Sequence, residues 1–168
     1  MRWGSIANPL QGGFFVAAAH RSERSVVTGK ERRKVAVQNY IWIMIGSALG
    51  GGARYWCSGF AASRIGETFP WGTLMVNVIG SFVIGFFATL TAPDGRFLVG
   101  TTARQFVMVG ICGGYTTFSS FSLQTLNLAR DGEWFRACAN IGLSVVLCML
   151  AVWLGLVAAA ALNQMKGA

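Results

Sequence analysis

Apolar residues along this chain gather into four long runs separated by short polar stretches, the pattern of helices that cross a bilayer. The runs cover about residues 40–59, 71–90, 102–127 and 135–162, each close to the ~20 residues that a hydrocarbon core of ~30 Å requires. Between them lie a polar loop over 58–68, a turn at Ala92-Pro93-Asp94-Gly95-Arg96 and a charged loop over 129–134. Pro70 stands where proline suits the first turn of the second helix. The predicted fold is an all-α membrane protein of four transmembrane helices, with a membrane domain over 37–163 and a short tail at 164–168.

The third run is unlike the others. From Gly110 to Ser122 it carries Gly110, Gly113 and Gly114 together with six hydroxyl side chains, where lipid favours Leu and Val. Glycine raises the cost of helix, so the expectation is a helix broken near Gly113-Gly114, with carbonyls turned out of the ladder. In hydrocarbon such a break is tolerated only where protein or a water-filled cavity covers it. A seam of small residues for helix packing accounts for the glycines equally well, but less well for Thr116-Thr117-Phe118-Ser119-Ser120-Phe121-Ser122.

Small and polar residues mark the other runs too. Gly46 and Gly50, four apart in the first run, suit close approach of a neighbouring helix. Asn77 in the second run either hydrogen-bonds a neighbouring helix or offers its NH₂ to something passing through. Phe118 and Phe121 share one helical face flanked by Thr117 and Ser120, a lining of ring edges and hydroxyl donors that suits a small anion. Asn140, Ser144 and Cys148 recur every four residues as one polar stripe down the fourth run. Arg54, near the end of the first run, is expected to snorkel or to pair.

Composition agrees with the pattern: only 12% of the 168 residues are charged, against about 25% in soluble domains. The net charge of +8 suggests nucleic acid until it is located, since residues before Val35 hold seven of the fourteen Lys and Arg against two acids. Residues 1–36 are therefore read as a basic, disordered extension rather than a signal peptide, and the membrane part carries no basic face for nucleic acid. Arg96, Arg104 and Lys166 nearly balance Arg54, Arg64, Arg130 and Arg136, so the loops alone set no orientation.

The four cysteines form no CxxC pair, and His20, the only histidine, lies in the extension. No phosphate loop, embedded carboxylate or Ser/His/Asp set is present, which argues against a pump, a proton relay and an enzyme. A small four-helix exporter of organic cations is the alternative, though such an exporter would want the embedded carboxylate that is missing.

The stretch Gly113-Gly114-Tyr115-Thr116-Thr117-Phe118-Ser119-Ser120-Phe121-Ser122, with Gly72-Thr73-Leu74-Met75-Val76-Asn77-Val78-Ile79-Gly80-Ser81 and Gly50-Gly51-Gly52-Ala53-Arg54-Tyr55, resembles the CrcB/Fluc family of fluoride ion channels. The resemblance implies an antiparallel dual-topology homodimer in the cell's inner (plasma) membrane, passing fluoride passively out of the cytoplasm. It also implies a structural Na⁺ between the subunits, held by the backbone carbonyls of Gly113 and Thr116. The pore lining it implies maps to Asn77, Phe118, Phe121, Thr117, Ser120, Asn140 and Ser144, with Arg54 at an entrance or snorkelling. Cys148 stands where some relatives carry a hydroxyl, and the long basic N-terminus is a second departure.

Overall fold

The computed structural model describes residues 29–93, 95 and 97–165. The expectations for the extension before residue 29, including His20, and for Asp94, Arg96 and Lys166 lie outside the described residues. The chain divides into two compact units, Met1–Ala36 and Val37–Ala168. Of the first, only the helical turns over 29–36 are described, and the packing below is that of the second.

Every regular element among the described residues is helical: α1 (Gly29–Ile65), α2 (Trp71–Leu90), α3 (Thr101–Gln105), a π-helical segment (Phe106–Cys112), α4 (Gly113–Tyr115), α5 (Phe118–Arg130) and α6 (Trp134–Gln164). By length and apolar composition three of these stretches suffice to cross a membrane: Trp71–Leu90, Thr101–Arg130 and Trp134–Gln164. The expected first span is helical throughout but falls short, because Gly46, Gly50, Gly51, Gly52 and Arg54 dilute its apolar character.

The glycines explain the packing. Gly46 and Gly50 present bare backbone to the π-helical segment: a Cβ at Gly46 would lie 2.7 Å from the Phe106 carbonyl oxygen and 3.0 Å from Gly110 Cα. Gly114 lies on Ser47 in the same manner, where a Cβ would come within 2.9 Å of Ser47 Cα. Two small-residue pairs, each spaced by four, thus interlock, and Trp42 meets Phe106 edge-on at 5.7 Å beside them. Thr102 Oγ1 donates to Asn39 Oδ1 at 2.7 Å at the end of the seam.

A second seam joins α2 to α6, with Gly85 against the Val152 carbonyl and Gly155 against the Phe82 carbonyl. Lipid is as apolar as a leucine side chain, so such close contacts, not apolar burial, supply the association energy. The buried face of α6 accordingly reads Ala137, Asn140, Ser144, Ala151, Gly155 and Ala159, small residues at helical spacing.

The end of α2 shows how polar backbone is managed. Arg104 donates from Nη1 to the Thr91 carbonyl at 3.2 Å and from Nη2 to the Ala88 carbonyl at 3.4 Å, while Asn163 Nδ2 donates to the Thr89 carbonyl at 3.1 Å. Carbonyls that a helix end leaves unpaired are thereby satisfied, two of them by a cation placed where the helix dipole favours one.

Replacing Gly50 by Val is expected to separate α1 from the third stretch and to lower the detergent-solubilised melting temperature and the folded yield. Gly142→Ala, with open space around its Cα, should leave both unchanged or slightly raised, since alanine favours helix by ~1 kcal/mol over glycine. Size-exclusion chromatography after a temperature ramp checks both outcomes.

Candidate functional site

The third stretch is interrupted at Thr116-Thr117, not at the glycines. Gly113 and Gly114 are helical, whereas Thr116 (φ −83°, ψ 156°) and Thr117 (φ −151°, ψ 109°) are extended. The break therefore falls three residues beyond the expected position. The physical reason lies in what each pair touches: Gly114 is consumed by its contact with Ser47, while two β-branched residues take the extended backbone they favour.

Breaking the ladder leaves the carbonyls from 113 to 116 without the N–H groups four residues on. Two of those N–H groups have found other acceptors. Thr117 N–H donates to Asn77 Oδ1 at 2.8 Å, and Ser120 N–H donates to Thr117 Oγ1 at 3.2 Å. Asn77 also donates from Nδ2 to the Thr117 carbonyl at 3.2 Å, so one side-chain amide pairs with both polar groups of one residue's backbone. This is strand-like pairing supplied by a side chain from another helix. The Thr117 hydroxyl, which donates onward to Ser120 Oγ at 3.1 Å, caps the restarted helix α5.

Released carbonyls and braced amide open onto a cavity of about 360 Å³. Its wall is built by Asn77, Gly80, Ser81 and Ile84 of α2, by Met108, Cys112, Gly113, Thr116, Thr117, Phe118 and Phe121 along the broken stretch, and by Ser144, Val145 and Cys148 of α6, and most of it is apolar. No charged side chain lines it. Gly80 makes room for the break, since a Cβ there would collide with the Thr116 side chain. The Phe118 and Phe121 rings stand 5.4 Å apart at 47°. Phe121 is half-buried, whereas Phe118 is 79% exposed, so the cavity is open on the Phe118 side.

The remaining candidates fall differently. Ser120 sits behind the cavity as part of the Thr117 cap. Asn140, 1% exposed, lies below it, donating to Thr125 Oγ1 at 2.7 Å and accepting from Ser144 Oγ at 3.5 Å. The stripe on α6 thus reaches the cavity through Ser144 and Cys148, with Asn140 as their buried continuation. Arg54 is half-buried on α1 and not among the lining residues. Sequence reasoning did not single out Gly80, Ser81 or Met108 as lining. Gly80 and Ser81 follow Asn77 by one helical turn, a spacing that points to the same face.

A helix of bilayer length, opened midway beside a largely apolar cavity that holds a few uncharged polar groups, is the architecture of a multi-pass membrane protein. Residues 41–156 match the family described as CrcB-like protein, Camphor Resistance (CrcB), and the chain belongs to that family. Similar proteins include one from Methylocella silvestris, 68% identical over 130 residues that cover 77% of this chain and 99% of the relative. Another, from Opitutus terrae, is 65% identical over 128 residues, covering 76% of this chain and 97% of the relative. A third, from Rhodospirillum rubrum, is 58% identical over 125 residues, covering 74% and 97%. Each of these relatives is named a fluoride-specific ion channel, FluC.

The cap makes a prediction of its own. Thr117→Val removes the hydroxyl while keeping the shape and should cost ~1–2 kcal/mol of stability, whereas Thr117→Ser should retain most of it. Reversible denaturant unfolding in detergent distinguishes the two.

Proposed function

We propose that this chain is a fluoride-specific channel which lets the anion leave the cytoplasm passively across the inner (plasma) membrane. The observation that carries this reading is the cavity beside the Asn77–Thr117 pairing, largely apolar with a few polar groups and no fixed charge, in a chain of a family whose similar members are named fluoride-specific channels. Fluoride is small and strongly hydrated. A path that admits it must replace water with hydrogen-bond donors, yet hold no cation that would trap it.

The lining meets both conditions. Asn77 spends one N–H on the Thr117 carbonyl, which leaves the second as a donor toward the cavity. Ser81 adds a hydroxyl, and the positive edges of Phe118 and Phe121 add weaker attraction suited to an anion that must move on. Asp and Glu are absent from the wall, so no fixed negative charge there repels the ion.

A homodimer, antiparallel and of dual topology, completes the reading. Support comes from the open side of the cavity: Phe118 and Gly113 are both exposed in the single chain, and a second copy would close that side. Gly113 and Thr116 have carbonyls freed by the break, and neutral backbone oxygens suit a hard monovalent cation better than a divalent one. These two residues of both subunits would hold the structural Na⁺. When bound, the ion supplies positive charge that ties the two chains together and does not travel with fluoride.

Reconstituted into vesicles, the protein should release fluoride and retain chloride and a small organic cation. Phe121→Ile should lower fluoride release without loss of folded protein, because ring edges go while volume is roughly kept. Replacing all sodium by a bulky organic cation should reduce both release and dimer content. Release of chloride as readily as fluoride would overturn the proposal, and unchanged dimer and flux without sodium would overturn the sodium site.

A further inference from the structure

The cavity contains chemistry that fluoride passage does not use. Three of its wall residues bear sulfur: Met108 and Cys112 from the π-helical segment, and Cys148 from α6. Cys112 is 3% exposed and Cys148 half-buried, and both are free thiols. The two other cysteines lie elsewhere, Cys57 on α1 and Cys138 at the exposed start of α6.

A thiol is a weak hydrogen-bond donor, so in the stripe Asn140–Ser144–Cys148 the last member serves a hydrated anion poorly. The same atom is a strong ligand for soft metals. Thiolate and thioether select soft monovalent ions such as Ag⁺ and Cu⁺, while hard cations prefer oxygen. No carboxylate, ammonium or imidazole shares the wall, so a soft cation entering meets sulfur as its best donor and no positive side chain repels it.

We infer that the cavity is a binding site for a soft, thiophilic monovalent cation, with Cys148 and Cys112 as its thiolate ligands and Met108 as a thioether neighbour. Binding forms two Ag–S bonds as the two S–H bonds break, and the two thiol protons leave to bulk water; no oxidant or reductant takes part. An occupied site obstructs the cavity, and its bis-thiolate complex carries net negative charge where fluoride would pass, so the bound ion blocks the channel. This inference rests on the proposed channel function only for its flux readout.

Silver nitrate is the probe, applied in a chloride-free nitrate medium to the full chain reconstituted in vesicles. Native mass spectrometry of the same protein reads silver retention independently of flux. Retention of silver is expected in the wild type and in Cys57→Ser/Cys138→Ser, with fluoride release blocked equally in both. Cys148→Ser is expected to shift the blocking concentration up by about tenfold or more, and Cys148→Ala to do the same. When Cys112→Ser/Cys148→Ser is added to Cys57→Ser/Cys138→Ser, both retention and block should be lost. Silver retained by that fourfold variant, or lost from Cys57→Ser/Cys138→Ser, overturns the inference. A wild-type protein that moves no fluoride before silver is added counts against the channel reading instead, and retention still decides the site.

Discussion

A peptide group in hydrocarbon has no water to bind, so each polar backbone atom released from a helix costs several kcal/mol unless something else pairs with it. The Asn77 amide meets that constraint at Thr117, accepting from its N–H and donating to its carbonyl. An opened helix in the middle of the membrane depends on this pairing. Without it, the N–H and the carbonyl of Thr117 would both stand unpaired at membrane depth, and the opened conformation would lose its brace.

The surrounding structure serves the same end. Glycine seams hold α1 against the π-helical segment and α2 against α6, fixing the helix that carries Asn77 and the helix that must stay open. Gly80 leaves space for Thr116, and the Thr117 hydroxyl restarts the ladder at α5. Polar residues deeper in the bundle are paired among themselves, Asn140 with Thr125 and Ser144. The result is a lining with donor capacity and no net charge, which matches an anion that must bind weakly enough to leave.

Much of this was legible in the residues. Composition and run lengths predicted helices and their approximate ends, and the motif around Gly113 and Phe118 predicted both the family and an interruption. The site of the interruption was not legible. Glycine propensity pointed to Gly113-Gly114, but both are helical and Gly114 is spent on the contact with Ser47 of α1, a tertiary fact that no local pattern contains. The partner of Asn77 lies forty residues away in sequence, so a lone amide in the second run left packing and donation equally open, and the structure shows its pairing with Thr117. Ser120 and Asn140 read as lining because hydroxyls and amides at helical spacing look alike, whether they cap, pair internally or face a cavity. The cap of Arg104 on the end of α2 was hidden for the same reason as the Asn77 pairing: it joins residues of different helices.

The most direct test of the central claim is amide hydrogen exchange at Thr117, measured on the reconstituted protein with Asn77 and with Asn77→Leu. The account predicts slow exchange at Thr117 in the wild type, about tenfold or faster exchange in the variant, and no change at amides of the α2–α6 seam such as Val152. Equal protection of Thr117 in both proteins would contradict it, because the break would then be held by something other than the Asn77 amide.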